Sequence, residues 1–216
     1  MKFSSAFFIF CIFILIDTAY AAPYLPDTPG LVIEYIGEMK IGDETESVSK
    51  IIKVLEPMIH PYTLEKLIVH QVNFKVAGEE DKIVKYYAVR ENGIYIIAEA
   101  KASGKKLNTY KTPQQVNPLP MLEKSKWKMD IQAGSKKIFL EYQVESLSEK
   151  ITVGTTEYNA VHISGKGIAK AFLMEIPVEE DRWVHKDLGT IKSITKQTIA
   201  KIEATTTLTL KTDKKK

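Results

Sequence analysis

The stretch "KYYAVRENGIYIIAEAK", Lys85–Lys101, decides the fold. Two runs of alternating side chains stand on either side of Asn92-Gly93. In the second run Ile94, Ile96, Ala98 and Ala100 share one face, against Tyr95, Glu99 and Lys101 on the other. A period of two belongs to a strand that is buried on one side. Asn-Gly suits a two-residue hairpin turn, whose central positions both need positive φ, so the stretch reads as an antiparallel hairpin.

The same pattern recurs along the chain. In "IFLEYQVE" Ile138, Leu140, Tyr142 and Val144 oppose Glu141, Gln143 and Glu145, and in "EATTTLTLK" Ala204, Thr206, Leu208 and Leu210 alternate with threonines. "ITVGTTEYNAVHI", Ile151–Ile163, leaves one strand at Val153, turns over Gly154 to Glu157 and returns from Tyr158. Threonines at such turns bond nearby backbone groups, so no catalytic loop is needed to explain them. Further turn chemistry lies at Ser103-Gly104, Ala133-Gly134-Ser135 and Leu188-Gly189. Two segments compete with an all-strand reading. "TLEKLIVHQ", from Thr63, places Leu64, Leu67 and Ile68 at helical spacing, yet Ile68, His70, Val72, Phe74 and Val76 also share one strand face. The strand is preferred, because β-branched residues suit a pleated surface. Lys111–Ser125 has three prolines and no period, and reads as a connector over the surface.

The N-terminus predicts export. Met1-Lys2 is followed by an apolar block, Phe7–Ile16, and then by Ala19-Tyr20-Ala21. A basic start, a short apolar stretch and an A-x-A site make a signal peptide, cut here after Ala21. Ten apolar residues fall short of the roughly 20 that span a bilayer as a helix. Cys11, the single cysteine, lies inside this block. The mature chain therefore has no disulfide, thiol nucleophile or cysteine-bound zinc, and a soluble fold rests on its core.

Charge narrows the partners. Without the signal peptide and the tail 211–216, basic and acidic residues are 25 each, so the net charge of +3 is an effect of the lysine-rich tail. That tail is a solvated end or, in a weaker reading, a contact for an anionic membrane. Arg90 and Arg182 are the only arginines, which argues against nucleic-acid recognition.

The connector divides the chain into two similar halves, 22–110 and 126–210. Tyr87 aligns with Trp183, Glu91 with Asp187 and Gly93 with Gly189, at an offset of 96 residues. An early aromatic opens each half, Tyr35 and Trp127. An internal duplication of one antiparallel unit is expected.

The second half also carries a resemblance. "PLPMLEKSKW" leads to Trp127, the hairpin "ITVGTTEYNAVHI" follows, and "RWVHKDLGTIK" comes last. These stretches resemble a family of uncharacterised secreted or periplasmic bacterial β-proteins, catalogued as a domain of unknown function. Its motifs run Leu-Pro-Leu to an early Trp, then V-x-V-P-A-G-x-F-x-x-V-x-V, then W-Y-A-x-G-x-G-x-V-K. Trp183, Gly189, Ile191 and Lys192 fit, whereas Asp187 replaces a glycine and Gly154-Thr155-Thr156 replaces Pro-Ala-Gly. The likeness spans about Pro118–Lys192 and implies an exported β-fold without an assigned activity.

No residue constellation demands chemistry. His60, His70, His162 and His185 form no H-x-H or H-x-x-x-H pair, so no metal or cofactor site is expected. His70 reads as a core histidine. His162 and His185, if they met beside a Glu or Asp, would give a metal or acid–base site, the latter serving a hydrolase. "SGKGIAKAF", Ser164–Phe172, lacks the phosphate-loop pattern, and no G-x-S-x-G appears. Glu79-Glu80-Asp81 and Glu179-Glu180-Asp181 read as solvated loop tips. Trp127, Trp183, Tyr86 and Tyr87 read as core, with a ligand cleft as the alternative.

The sequence thus predicts an all-β, mostly antiparallel protein, a curved sheet, open barrel or sandwich in two related halves. Its expected role is non-enzymatic, in the periplasm or secreted, holding an apolar ligand such as a lipid or lipoprotein acyl chain on a concave face. The alternatives are an interaction or scaffold module that uses exposed strand edges, and the hydrolase on His162 or His185.

Overall fold

A computed structural model of the chain describes residues 24–101, 107–133, 136–171 and 174–212. The signal peptide with its cleavage site, the turns at Ser103-Gly104 and Gly134-Ser135, and the tail beyond residue 212 lie outside the described residues.

The described residues hold twelve strands and no helix. The first six are β1 (Val32–Ile41), β2 (Glu44–Ile59), β3 (Lys66–Val76), β4 (Glu79–Arg90), β5 (Gly93–Lys101) and β6 (Leu107–Pro118). The second six are β7 (Lys126–Ala133), β8 (Lys136–Val153), β9 (Thr156–Ala171), β10 (Met174–His185), β11 (Gly189–Ile199) and β12 (Ile202–Leu210). Every ladder is antiparallel, in one sheet ordered β6-β5-β4-β3-β2-β1-β12-β11-β10-β9-β8-β7. Each group of six is a meander, and the two meanders join where β1 pairs β12, with Tyr35 opposite Leu210. The sheet curls into a nearly closed barrel. Its two edges, β6 and β7, face each other across a seam without a ladder, where the Asp130 N–H donates to Gln114 Oε1 at 2.7 Å.

Alternation decides what fills the barrel. Ile138, Leu140, Tyr142 and Val144 on β8, and Ile176, Val178 and Val184 on β10, join Ile33, Tyr35, Ile52, Phe74, Tyr87 and Trp127 in one buried cluster. Trp183, Val153, Ala160 and Ile191 form a second cluster, and Leu67, Ala88 and Ile97 a third, packed with Tyr86 and Tyr95. The four aromatics singled out in the sequence are therefore packing residues. Thr63–Gln71 contains no helix; β3 begins at Lys66.

Three expectations need correction. Lys111–Ser125 is not a surface connector throughout, since Lys111–Pro118 is the end of β6. Its period is hidden by an irregularity, where pairing to β5 jumps from Thr109↔Ala98 to Gln114↔Ile96. Glu179–Asp181 is not a loop tip but the middle of β10, and Glu79–Asp81 opens β4. The hairpin in Lys85–Lys101 exists, but Arg90 pairs with Gly93, so Glu91-Asn92 is the turn. Gly93 is a glycine for another reason. A Cβ there would stand 2.6 Å from Asn117 O, so only glycine lets β6 lie this close.

Candidate functional site

Two polar clusters stand out, one inside the barrel and one outside it. Both are built on β8, β9 and β10.

The inner cluster follows a single row of ladder partners: Trp127, Tyr142, Gly165, Glu180, Thr195 and Thr206. Gly165 is the notch in that row. A Cβ there would lie 2.4 Å from Tyr142 Cε1, so the tyrosine ring occupies the space a side chain would take. Trp127 stacks on Tyr142 at 5.2 Å, and the Tyr142 hydroxyl donates to Glu180 Oε2 at 2.7 Å. One step along β10, Arg182 is fully buried. Its Cζ lies 4.6 Å from the Tyr142 ring centre, and its Nη2 donates to Val116 O at 3.0 Å and Asn117 Oδ1 at 2.9 Å. A guanidinium on β10 thus grips edge strand β6 from within. Burying a charge is costly unless hydrogen bonds replace its water, and these contacts do so at Nη2.

The outer cluster centres on His162 of β9. Register shifts in β8 around Ser146 bring Glu149 toward it. Glu149 Oε2 lies 3.0 Å from His162 Nδ1, and Asp181 Oδ1 lies 3.0 Å from Nε2. The ring stacks on Trp183 at 4.7 Å, and Trp183 Nε1–H donates to Glu149 Oε1 at 2.8 Å. Beside this unit, Ser164 donates to Glu145 Oε1 at 2.6 Å and Lys124 Nζ to Glu145 Oε2 at 2.9 Å. The serine bond first, then the lysine, lowers the Glu145 carboxyl to about 2. A shallow cavity of about 360 Å³ adjoins it, lined by Lys126, Lys128, Glu141, Gln143 and Lys166.

This geometry constrains chemistry. Both nitrogens of His162 are occupied by carboxylates, and Ser164 is bonded to Glu145, so the cluster presents no serine poised against a free imidazole nitrogen. The two carboxylates approach the ring from opposite sides and share no point with it. Among the described residues no group of three His, Asp or Glu side chains could hold a metal ion. His185 is engaged elsewhere, accepting the Asp187 N–H at Nδ1 (3.2 Å) and meeting the ring of Tyr158. His70 is fully buried, with Nε2 2.7 Å from Pro26 O. His60 accepts backbone N–H groups in the turn before β3. Arg182 and Glu180 are the residues that sequence reasoning missed. Their signal was parity, since Ile176, Val178, Glu180, Arg182 and Val184 fall on one face of β10.

No family model matches the chain, and no curated protein matches it. Two solved structures share the fold. One is a protein of Bacteroides fragilis NCTC 9343 described as exported and YmcC-like in fold, with a TM-score of 0.54 and 12% identity over 89% of this chain and 97% of that one. The other is a protein of Parabacteroides distasonis ATCC 8503 described as a lipoprotein, with a TM-score of 0.51 and 13% identity over 87% and 98%. At such identity the likeness is one of fold. Among the described residues no helix is long and apolar enough to cross a membrane.

Proposed function

We propose that the chain is an exported, non-enzymatic protein of a bacterial cell envelope that acts by contact with other envelope components, as an interaction or scaffold module. The observation that carries this reading is the continuous side-chain cluster that spans the concave face, from Ile33 and Tyr87 to Trp127, Tyr142 and Leu208. An acyl chain on that face would have to displace packed side chains and lie against the buried Glu180 and Arg182. The apolar-ligand reading therefore yields to its alternative. The reading puts the contact away from the strand edges, because β6 and β7 face each other and both carry edge protection, Pro113 on β6 and Lys126 and Lys128 on β7.

A cut after Ala21 and release beyond the inner membrane complete the reading, and two fold neighbours described as exported or as a lipoprotein support it. Duplication of a six-strand unit is part of the proposal. Tyr87 pairs with Ile96 and Trp183 with Lys192, two contacts displaced by the same 96 residues. Native mass spectrometry of protein recovered from an envelope tests the function. A retained protein partner and no bound lipid is the expected result, and a stoichiometric lipid overturns it.

A further inference from the structure

The turn between β2 and β3 is unlike the others. Pro57–Leu64 reads "PMIHPYTL", and its apolar side chains rise out of the molecule. Met58 is 38% exposed, Ile59 57%, Leu64 75% and Tyr62 90%. Large apolar groups concentrated on one protrusion mark a contact surface. Alternating meander turns bring Leu31, Val32, Val89 and Leu122, all exposed, to the same end of the barrel.

The tip is held by its own hydrogen bonds. The His60 N–H donates to Glu65 O at 2.8 Å, the Leu64 N–H to His60 O at 3.0 Å and the Thr63 N–H to His60 Nδ1 at 3.1 Å. Thr63 Oγ1 donates to Glu65 Oε2 at 3.0 Å, and Arg90 grips both oxygens of Glu65, Nε at 2.8 Å and Nη2 at 3.1 Å. Leu64 sits at φ 59, a backbone state that a branched side chain adopts at a cost. The loop spends that strain on turning leucine outward.

We propose that this tip docks into the interface of a phospholipid bilayer, with Ile59, Tyr62 and Leu64 entering the boundary between headgroups and acyl chains. Three observations favour a bilayer over a protein groove. The apolar surface is a convex point and needs no matching pocket. Several backbone donors of the turn are bonded within it, as immersion in an apolar phase requires. The Glu65–Arg90 pair cancels charge at the base, where exposed Glu56 and Lys66 also carry opposite signs, so apolar transfer drives binding. Tyr62 has the amphipathic ring that the interfacial layer favours. The proposal rests on the exported reading only for bringing a membrane within reach.

The test uses protein recovered from the envelope of an expressing host and phosphatidylcholine vesicles. A polarity-sensitive fluorophore is placed at position 62 through Tyr62→Cys, or at position 43 in the opposite turn through Asp43→Cys, each with Cys11→Ser. Vesicles should shift the emission of the first label to the blue and leave the second unchanged. Partitioning of I59S/L64S should weaken by at least roughly tenfold, with an unchanged melting curve and little salt dependence. An unshifted label at position 62, or equal partitioning of I59S/L64S and wild type, overturns the proposal. So does a shift that appears only when a protein partner is added. Failure here leaves the contact function standing if native mass spectrometry still finds a partner.

Discussion

Arg182 on β10 and Asn117 on β6 are joined by a hydrogen bond of 2.9 Å, Nη2 to Oδ1, inside a barrel that has no ladder between β6 and β7. The contact spans 65 residues of sequence. It fastens the free edge of the first meander to an interior strand of the second.

Arg182→Met should therefore destabilise the protein by about 2–4 kcal/mol, because Val116 O and Asn117 Oδ1 lose a buried donor. Urea unfolding reads the loss. Hydrogen exchange should quicken first in β6; uniform quickening over all strands would contradict the fastening role.

Gly165→Ala tests the notch beneath Tyr142. The added Cβ meets the ring at 2.4 Å, and overpacking of this kind costs about 1–3 kcal/mol. Near-ultraviolet circular dichroism should change as the Trp127–Tyr142 stack is displaced. Tyr142→Phe keeps the stack but removes the donor to Glu180, so it should cost about 1–3 kcal/mol with the aromatic signal retained.

Glu145 gives a pH signature. Its folded carboxyl is lowered to about 2 from an ordinary value of 4.5 by Ser164 and Lys124. A depressed folded value means stability that is fully present above about 4.5 and is lost as pH falls toward about 2. Wild type should thus lose more stability than Glu145→Gln between pH 5 and 2, in denaturant titrations run side by side. Parallel curves would show that the carboxylate contributes nothing.

His162→Ala removes two partly exposed contacts to carboxylates and the stack on Trp183, and should cost about 1 kcal/mol. Hydrolysis of small activated esters should stay at the buffer rate in wild type and variant alike. Turnover that vanishes with the imidazole would revive the hydrolase reading.

Much of this architecture was legible in the residues. Ile138, Leu140, Tyr142 and Val144 announce β8 because a half-buried strand must alternate, and Gly154 marks the turn before β9 with φ 62. Illegible features were those where a ladder partner overrides local pattern. Ile97 looks misplaced in β5 until the shift between Tyr86 and Tyr87 sends it to the small apolar cluster with Leu67 and Ala88. Lys111–Pro118 looks irregular because four residues of β6 face one of β5. Glu180 looked solvated because charge was weighed before parity, although it and Arg182 share a face with Val178 and Val184. The approach of Glu149 to His162 depends on register shifts in β8 that alternation alone does not reveal, whereas Asp181 reaches the ring across the unshifted β9–β10 ladder.

The pairing of β1 with β12 has a consequence for how the molecule could be taken apart. The first and last strands meet in the middle of the sheet, while the segment between Pro118 and Lys126 bridges its two margins. A protease nick in that segment would yield two polypeptides sharing one continuous ladder from Tyr35–Leu210 to Ile41–Ala204. Such fragments should recombine spontaneously, and swapping them between molecules should give a non-covalent heterodimer with the shape of the intact barrel.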